Sequence, residues 1–217
     1  MSTLIGLISD VHASPVPLKQ ALEIFEREQV SDIICAGDIA GYFDQTDECI
    51  SLLEQYRCQS IMGNHDKSFL QQASETERRN SHNYHYLETL PLKLELTLEQ
   101  KSIYVVHSQP PTEMHGGIKL LDQQGEIQSD KVSYWEQRLS DFEYDILIVG
   151  HTHQVFSLQI GSTLVINPGS SQFNHSCMIL SLPEMQVQTF NLEQKKMVKC
   201  WNFSHLFDRH DRYPTSQ

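Results

Sequence analysis

The 217-residue sequence predicts an α/β fold in which two mixed β-sheets pack together with helices outside. Three observations carry that reading. Apolar runs alternate with helical stripes in the first third, a period-2 alternation takes over beyond residue 92, and ligand-type residues follow directly on the ends of the apolar runs. Leu4 to Ser9 reads as the first buried strand. Pro15 and Pro17 mark a loop, after which Leu18, Ala21, Leu22 and Phe25 recur at i, i+3, i+4 and i+7, the stripe of a helix packed on a sheet. Ile33 to Ala36 is the second strand. Cys49, Leu52, Leu53 and Tyr56 repeat the helical spacing, with Thr46 or Asp47 available as the cap. Ile61-Met62 opens the third strand, and this βαβαβ order implies parallel strands with right-handed crossovers.

Residues 66 to 90 are polar and helical in part, ending at Leu90-Pro91. Leu92, Leu94, Leu96 and Leu98 then alternate with polar residues, as in a half-exposed strand. It should pair with Ser102 to His107 across a turn near Glu99-Gln100-Lys101. A polar loop leads to a short helix with Val132, Trp135 and Leu139. Ile146 to Val149, Thr163 to Ile166, Met178 to Leu182 and Gln186 to Phe190 supply later strands, several of them antiparallel. Residues 1–217 read as one domain without repeats or a linker, and residues after about 191 as a C-terminal strand or helix extension.

Composition excludes several classes. With 39% hydrophobic and 20% charged residues, the chain reads as a globule rather than a disordered or fibrous protein. Its apolar runs are far shorter than the roughly 20 residues of a membrane span. A start that passes straight into strand pattern, and five cysteines without close pairing, point to a reducing cytoplasm. The net charge of −12, with no basic cluster beyond Arg78-Arg79 or Lys195-Lys196, disfavours an extended nucleic-acid surface. A small phosphorylated substrate is compatible, because bound divalent cations would make a crevice locally positive.

The chemistry lies in four short signatures: Asp10-Val11-His12, Gly37-Asp38, Gly63-Asn64-His65-Asp66 and Gly150-His151-Thr152-His153, with His107 between the last two. Each follows an apolar run, and ligands placed past parallel strand ends converge on one crevice. In Asp-x-His the carboxylate and imidazole point into the same space and suit a borderline divalent ion. Asp38 offers two oxygens and can bridge two ions, Asn64 adds an amide oxygen, and His151 and His153 can project toward different ions. A single His or Asp at a strand end is usually a hydrogen-bonded loop residue; five signatures in order favour a metal site. His82, His85, His115, His175, His205 and His210 lack such support and read as surface or structural, with His115 the exception because it follows His107. The acidic stretches at Glu75 and Glu77 and at Asp141 to Asp145 read as a solvated face, and the leucines 92 to 98 as core with a possible homo-oligomer edge.

These residues resemble the calcineurin-like metallophosphoesterase superfamily, whose pattern of D-x-H, G-D, G-N-H-D/E, H and G-H-x-H is matched at every ligand position from about residue 4 to 170. Gly37 to Tyr42 and Asn167-Pro168-Gly169-Ser170 look further like its small prokaryotic phosphodiesterase branch. The resemblance implies a four-layer αββα sandwich and two divalent metal ions, drawn from Mn, Fe, Zn, Ni or Co with Mn favoured. It places Asp10, His12, Asp38 and His153 on one ion and Asp38, Asn64, His107 and His151 on the other. His65 becomes the general acid and Asp66 the carboxylate that orients a neighbouring histidine. The implied reaction is hydrolysis of a small phosphodiester by in-line attack of a hydroxide held between ions about 3.5–4 Å apart. Alternatives are a phosphomonoesterase, a dinucleoside-polyphosphate hydrolase, or a non-catalytic binding scaffold like the retromer subunit that resembles this family; an intact His65 and ligand set argue for an enzyme.

Two departures stand out. Ala13 and Ser108 occupy positions where family members commonly carry Gly, and each adds a Cβ beside the crevice. Ser108 should then crowd the substrate or donate to it. Asn174 and His175 stand where the family often has Pro-Arg, which removes one bidentate phosphate contact.

Overall fold

The computed structural model describes residues 2–201. The first sheet combines β1 (Thr3–Ile8), β2 (Asp32–Cys35), β3 (Gln59–Ser60), β9 (Ser176–Leu182) and β10 (Gln186–Asn191) in the order β10-β9-β1-β2-β3. The second combines β4 (Lys93–Leu98), β5 (Lys101–Val106), β6 (Ile146–Ile148), β7 (Val155–Ile160) and β8 (Thr163–Pro168) in the order β4-β5-β6-β8-β7. β1, β2 and β3 run parallel, as do β5, β6 and β8, while β9, β10, β4 and β7 pair antiparallel. Helices α1 (Pro15–Arg27) and α2 (Thr46–Gln55) cover the outer face of the first sheet, and α6 (Ser129–Arg138) that of the second. The four αββα layers are therefore as expected.

Strand period explains why each layer holds. Ile5 and Leu7 of β1 point at the other sheet, where they meet Ile103, Val105, Ile146 and Ile148. Ile8, one step on, turns to the helix layer with Leu18, Leu22 and Phe25. Gly6 has no side chain because the Phe25 ring occupies that space. Trp135 and Leu139 seal the opposite face against Tyr104, Val106 and Leu147.

Several local expectations need correction. Pro15 and Pro17 lie inside the first turn of α1, where a missing N–H costs nothing. Thr46 is already helical, Gln45 is the cap, and no side chain caps that end. The polar stretch, by contrast, is helical as expected and forms α3 (Asn64–Gln72), α4 (Glu75–Asn80) and α5 (His82–Glu88). Strand β7 had no counterpart in the sequence reading, although Phe156, Leu158 and Ile160 alternate with Ser157 and Gln159. Asp145 is not part of a solvated face: its carboxylate accepts from the N–H and hydroxyl of Ser102 at 2.9 and 2.8 Å, tying β5 to the start of β6. Residues 192 to 201 form an irregular segment, neither helix nor full strand, held by a bridge between Gln154 and Cys200. Phe203, His205 and His210 lie outside the described residues.

Candidate metal centre

The C-terminal ends of β1, β2, β3, β5 and β6 deliver every predicted ligand to one place. Backbone bonds weld the loops together: Asp10 N–H donates to Gly37 O (2.9 Å), His12 N–H to Asp38 O (2.9 Å) and Gly150 N–H to His107 O (2.8 Å). Asp10, His12, Asp38, His151 and His153 all adopt left-handed backbone conformations, with φ from 48° to 65°. Such conformations in residues with a Cβ are costly and persist where surroundings enforce them, so their concentration here marks a functional site independently of residue type. The motif glycines supply room. A Cβ on Gly63 would overlap Oδ1 of Asp38, and one on Gly150 would overlap the Ser9 hydroxyl and press on Asp10.

The side chains form two adjoining groups. Asp10, His12 and His153 bring their ligand atoms within 4.8 Å of one another, as do Asp38, His107 and His151. In the first, Nε2 of His12 lies 3.0 Å from Nε2 of His153, which is 3.2 Å from Oδ1 of Asp10. In the second, Asn64 Oδ1 lies 2.8 Å from Nδ1 of His151 and 3.1 Å from Nε2 of His107, itself 3.3 Å from Asp38 Oδ2. Asp10, His12, Asp38, His107 and His153 are buried. Two buried carboxylates ringed by converging imidazole nitrogens form a donor set suited to divalent cations. His107 Nδ1 is 2.7 Å from Ala36 O, which fixes the ring and leaves Nε2 facing the group, as metal-binding histidines commonly do. His65 lies close by: with His12 and Asp38 it forms a third such group, and its ring stands 4.9 Å from that of His12.

Electrostatics divide the histidines. Burial pushes His12 and His151 down to about 4, so both imidazoles are neutral near pH 7 and offer lone pairs. Burial opposes charge on His107 too, but Asp38 and Asp10 outweigh it and raise this group to about 10. Burial likewise penalises the Asp10 and Asp38 carboxylates, and the histidines (His153 first for Asp10, His107 for Asp38) reverse it and hold both below the usual carboxylate range.

Neighbouring residues correct two expectations, for Asp66 and Ser108, and show what Ala13 and Asn174 do. Asp66 does not orient a histidine: its fully buried carboxylate accepts the N–H groups of Asp38, Ala40 and Gly63 at 2.8–2.9 Å, fixing the loops after β2 and β3. Ser108 is fully buried and its hydroxyl donates to His115 O at 2.9 Å, so it neither narrows the cleft nor faces substrate. Ala13 takes a left-handed conformation (φ 57°), the physical reason for a glycine there. Asn174 is buried and bonds Ser170 N–H, His153 O and Val198 O, a structural role unrelated to phosphate. Ser9, which the motifs alone did not single out, donates to Asp10 Oδ2 at 2.7 Å, and Ser170 of the Asn167-Pro168-Gly169-Ser170 motif donates to Asp10 O at 2.6 Å. Asn167 donates to Gly150 O and Thr152 Oγ1 at 3.0 Å, steadying the loop that carries His151 and His153.

A cavity of about 260 Å³ opens over this cluster, lined by Asp38, Asn64, His65, His151 and His153 and, at its rim, by Tyr42, Lys119 and Trp201. Tyr42 sits 4.6 Å from the His12 ring; Phe173 stacks on His153 at 5.4 Å and on Trp201 at 4.1 Å. No periodicity announces this aromatic wall, which unites residues from three distant loops. His115, the exception among the unsupported histidines, is exposed, with its ring 6.1 Å from that of His151. No described helix is long and apolar enough to cross a membrane.

Fold and site together define a metal-dependent phosphoric ester hydrolase. A model of the calcineurin-like phosphoesterase superfamily domain matches residues 3–183, and the chain belongs to that superfamily. It is 26% identical over 189 residues to an uncharacterized protein of Methanocaldococcus jannaschii, spanning 78% of this chain and 70% of that protein. Its fold is similar to a metallophosphoesterase from Sphaerobacter thermophilus (TM-score 0.67, 24% identity, 89% of each chain). It is also similar in fold to an archaeal phosphodiesterase (TM-score 0.58, 22% identity, 88% of this chain and all of that one).

Proposed function

We propose that this protein hydrolyses a small phosphodiester at a binuclear centre, with Asp10, His12, Asp38 and His153 holding one divalent ion and Asp38, Asn64, His107 and His151 the other. The observation that supports it is the convergence of these seven residues beneath one cavity that His65 also lines. Bound there, two ions would polarise a phosphoryl group and supply a nucleophile at neutral pH. The chain's own residues do the rest. Asp38 spans the two groups, and the Asp66 carboxylate fixes its backbone by accepting the N–H groups of Asp38 and Ala40. His65, held by its N–H on Asp38 Oδ1 at 2.8 Å, is placed to give a proton to the leaving oxygen. Manganese fits a donor set of carboxylates, imidazoles and an amide oxygen without thiolate. The five cysteines are free thiols, which favours the cytoplasm.

The test is turnover of bis(4-nitrophenyl) phosphate against 4-nitrophenyl phosphate after loading with Mn, Fe, Zn, Ni or Co in turn. Metal-dependent turnover with the diester preferred supports the reading. Preference for the monoester would make the protein a phosphomonoesterase, preference for dinucleoside polyphosphates a hydrolase of that class, and full loading without turnover of any ester a scaffold.

A further inference from the structure

The cleft has two unlike sides. On the His12 and His153 side the Tyr42, Phe173 and Trp201 rings stand against the ligands. On the His151 side lies the segment from Gly117 to Leu120. Gly117, at φ 83°, presses so closely on Thr152 and His151 that a Cβ would meet Thr152 at 2.6 Å. Thr152 Oγ1 donates to Ile118 O at 3.2 Å, and Leu120 N–H donates to Gln154 Oε1 at 2.8 Å. Ile118 and Leu120 are fully buried, so the backbone on both sides of Lys119 is pinned to the loop that carries His151 and His153. Lys119 itself is exposed, and its ammonium has no hydrogen-bonding or carboxylate partner among the described residues. Its side chain lines the metal cleft and also a neighbouring cavity of about 450 Å³, to which Gln109, Asp130, Lys131 and Tyr134 contribute.

We propose that Lys119 binds a second phosphate of the substrate, in a subsite that leads from the metal cleft into this neighbouring cavity. The inference rests on the phosphoesterase reading above and deepens it: the substrate class becomes esters that carry a further phosphate beyond the scissile one. The exposed ammonium is free to take an anion, and the backbone around it is already ordered, so only the side chain has to be fixed when an anion docks. In a chain of net charge −12 a cation at this position offers an approaching anion a local attraction. Lysine suits phosphate as a compact charge with three donors. Lys131 lines the same cavity but pairs with Asp130 at 3.9 Å, so Lys119 is the lining cation without a carboxylate partner among the described residues.

The test is titration calorimetry of the metal-loaded protein with glucose 6-phosphate and glucose 1,6-bisphosphate, in the natural chain, Lys119→Met and Lys119→Arg. A charge-assisted contact at an exposed site should favour the bisphosphate by about tenfold in the natural chain. Lys119→Met should remove that preference and Lys119→Arg restore it. Equal affinity for the two probes in the natural chain, or an equal loss for both in Lys119→Met, overturns the proposal. A loaded protein that turns over bis(4-nitrophenyl) phosphate yet shows no preference refutes the Lys119 subsite alone. One that binds neither sugar phosphate and hydrolyses no ester refutes the subsite and the phosphoesterase reading together.

Discussion

Asp38 stands where the two ligand groups meet, with Oδ2 toward His107 and Oδ1 anchoring the His65 N–H. Asp38→Ala should therefore lose both ions and nearly all turnover, and Asp38→Asn should keep the shape but bind metal more weakly; elemental analysis decides, and two retained ions in Asp38→Ala would remove the bridge. His65→Ala separates chemistry from ligation. It should keep its metals and lower turnover by on the order of 10²–10⁴, with a smaller loss for nitrophenolate leaving groups that need no proton. An equal loss for good and poor leaving groups would count against an acid. The sign of the pH dependence follows from His107. Raised to about 10, it carries a proton in the metal-free protein at pH 7, whereas His12 and His151, at about 4, do not. Metal uptake must displace that proton, so affinity should rise with pH across the neutral range. Calorimetry in two buffers of different ionisation enthalpy should show proton release, and a buffer-independent heat would contradict it.

At the level of the elements, the loops matter more than the strands. Each metal loop follows an apolar run, which is why the ligands were legible in the sequence: apolar run, then glycine or serine, then ligand, except that His107 follows Val106 directly. The supporting contacts were less legible. Asp66 looked like a histidine partner because sequence shows residue type and not where a carboxylate finds donors; only the folded loops bring three N–H groups to it. Ser108 stood out only as a replacement for glycine and Lys119 carried no pattern, since their roles depend on what the His115 and Thr152 segments place beside them. Strand β7 was hidden by its position directly behind the His151-Thr152-His153 motif. Turn geometry yields a prediction remote from the site. In the hairpin between β4 and β5, Glu99 and Gln100 both adopt positive φ (47° and 61°), a conformation that costs a side-chain-bearing residue roughly 1–2 kcal/mol. Glu99 is engaged by the Thr3 hydroxyl, so Gln100→Gly is the informative change. It should raise stability by about 1 kcal/mol and Tm by about 2–4 °C without altering turnover. A lower Tm on thermal unfolding would show that the turn is not strained.

The whole molecule works as two sheets whose strand ends meet along one edge. Ile5, Leu7 and Ile34 from one sheet lock against Ile103, Ile146 and Ile166 from the other, so the two ligand groups are held together by the central core rather than by the loops alone. This arrangement was foreseeable because alternation between strand and helix reported the parallel strands, period-2 alternation the antiparallel ones, and the motif order the shared edge. The irregular segment after Asn191 was not, because its contacts, among them the bridge to Gln154 and the bonds from Val198 N–H to Asn174 O and Trp201 N–H to His153 O, are long-range and without a local signature. The central claim is that this edge holds two ions at named residues. Anomalous diffraction from crystals grown with manganese tests it most directly. Two peaks about 3.5–4 Å apart are expected, one among Asp10, His12 and His153, the other among Asn64, His107 and His151, with Asp38 between them. A single peak, or peaks away from these side chains, would contradict it.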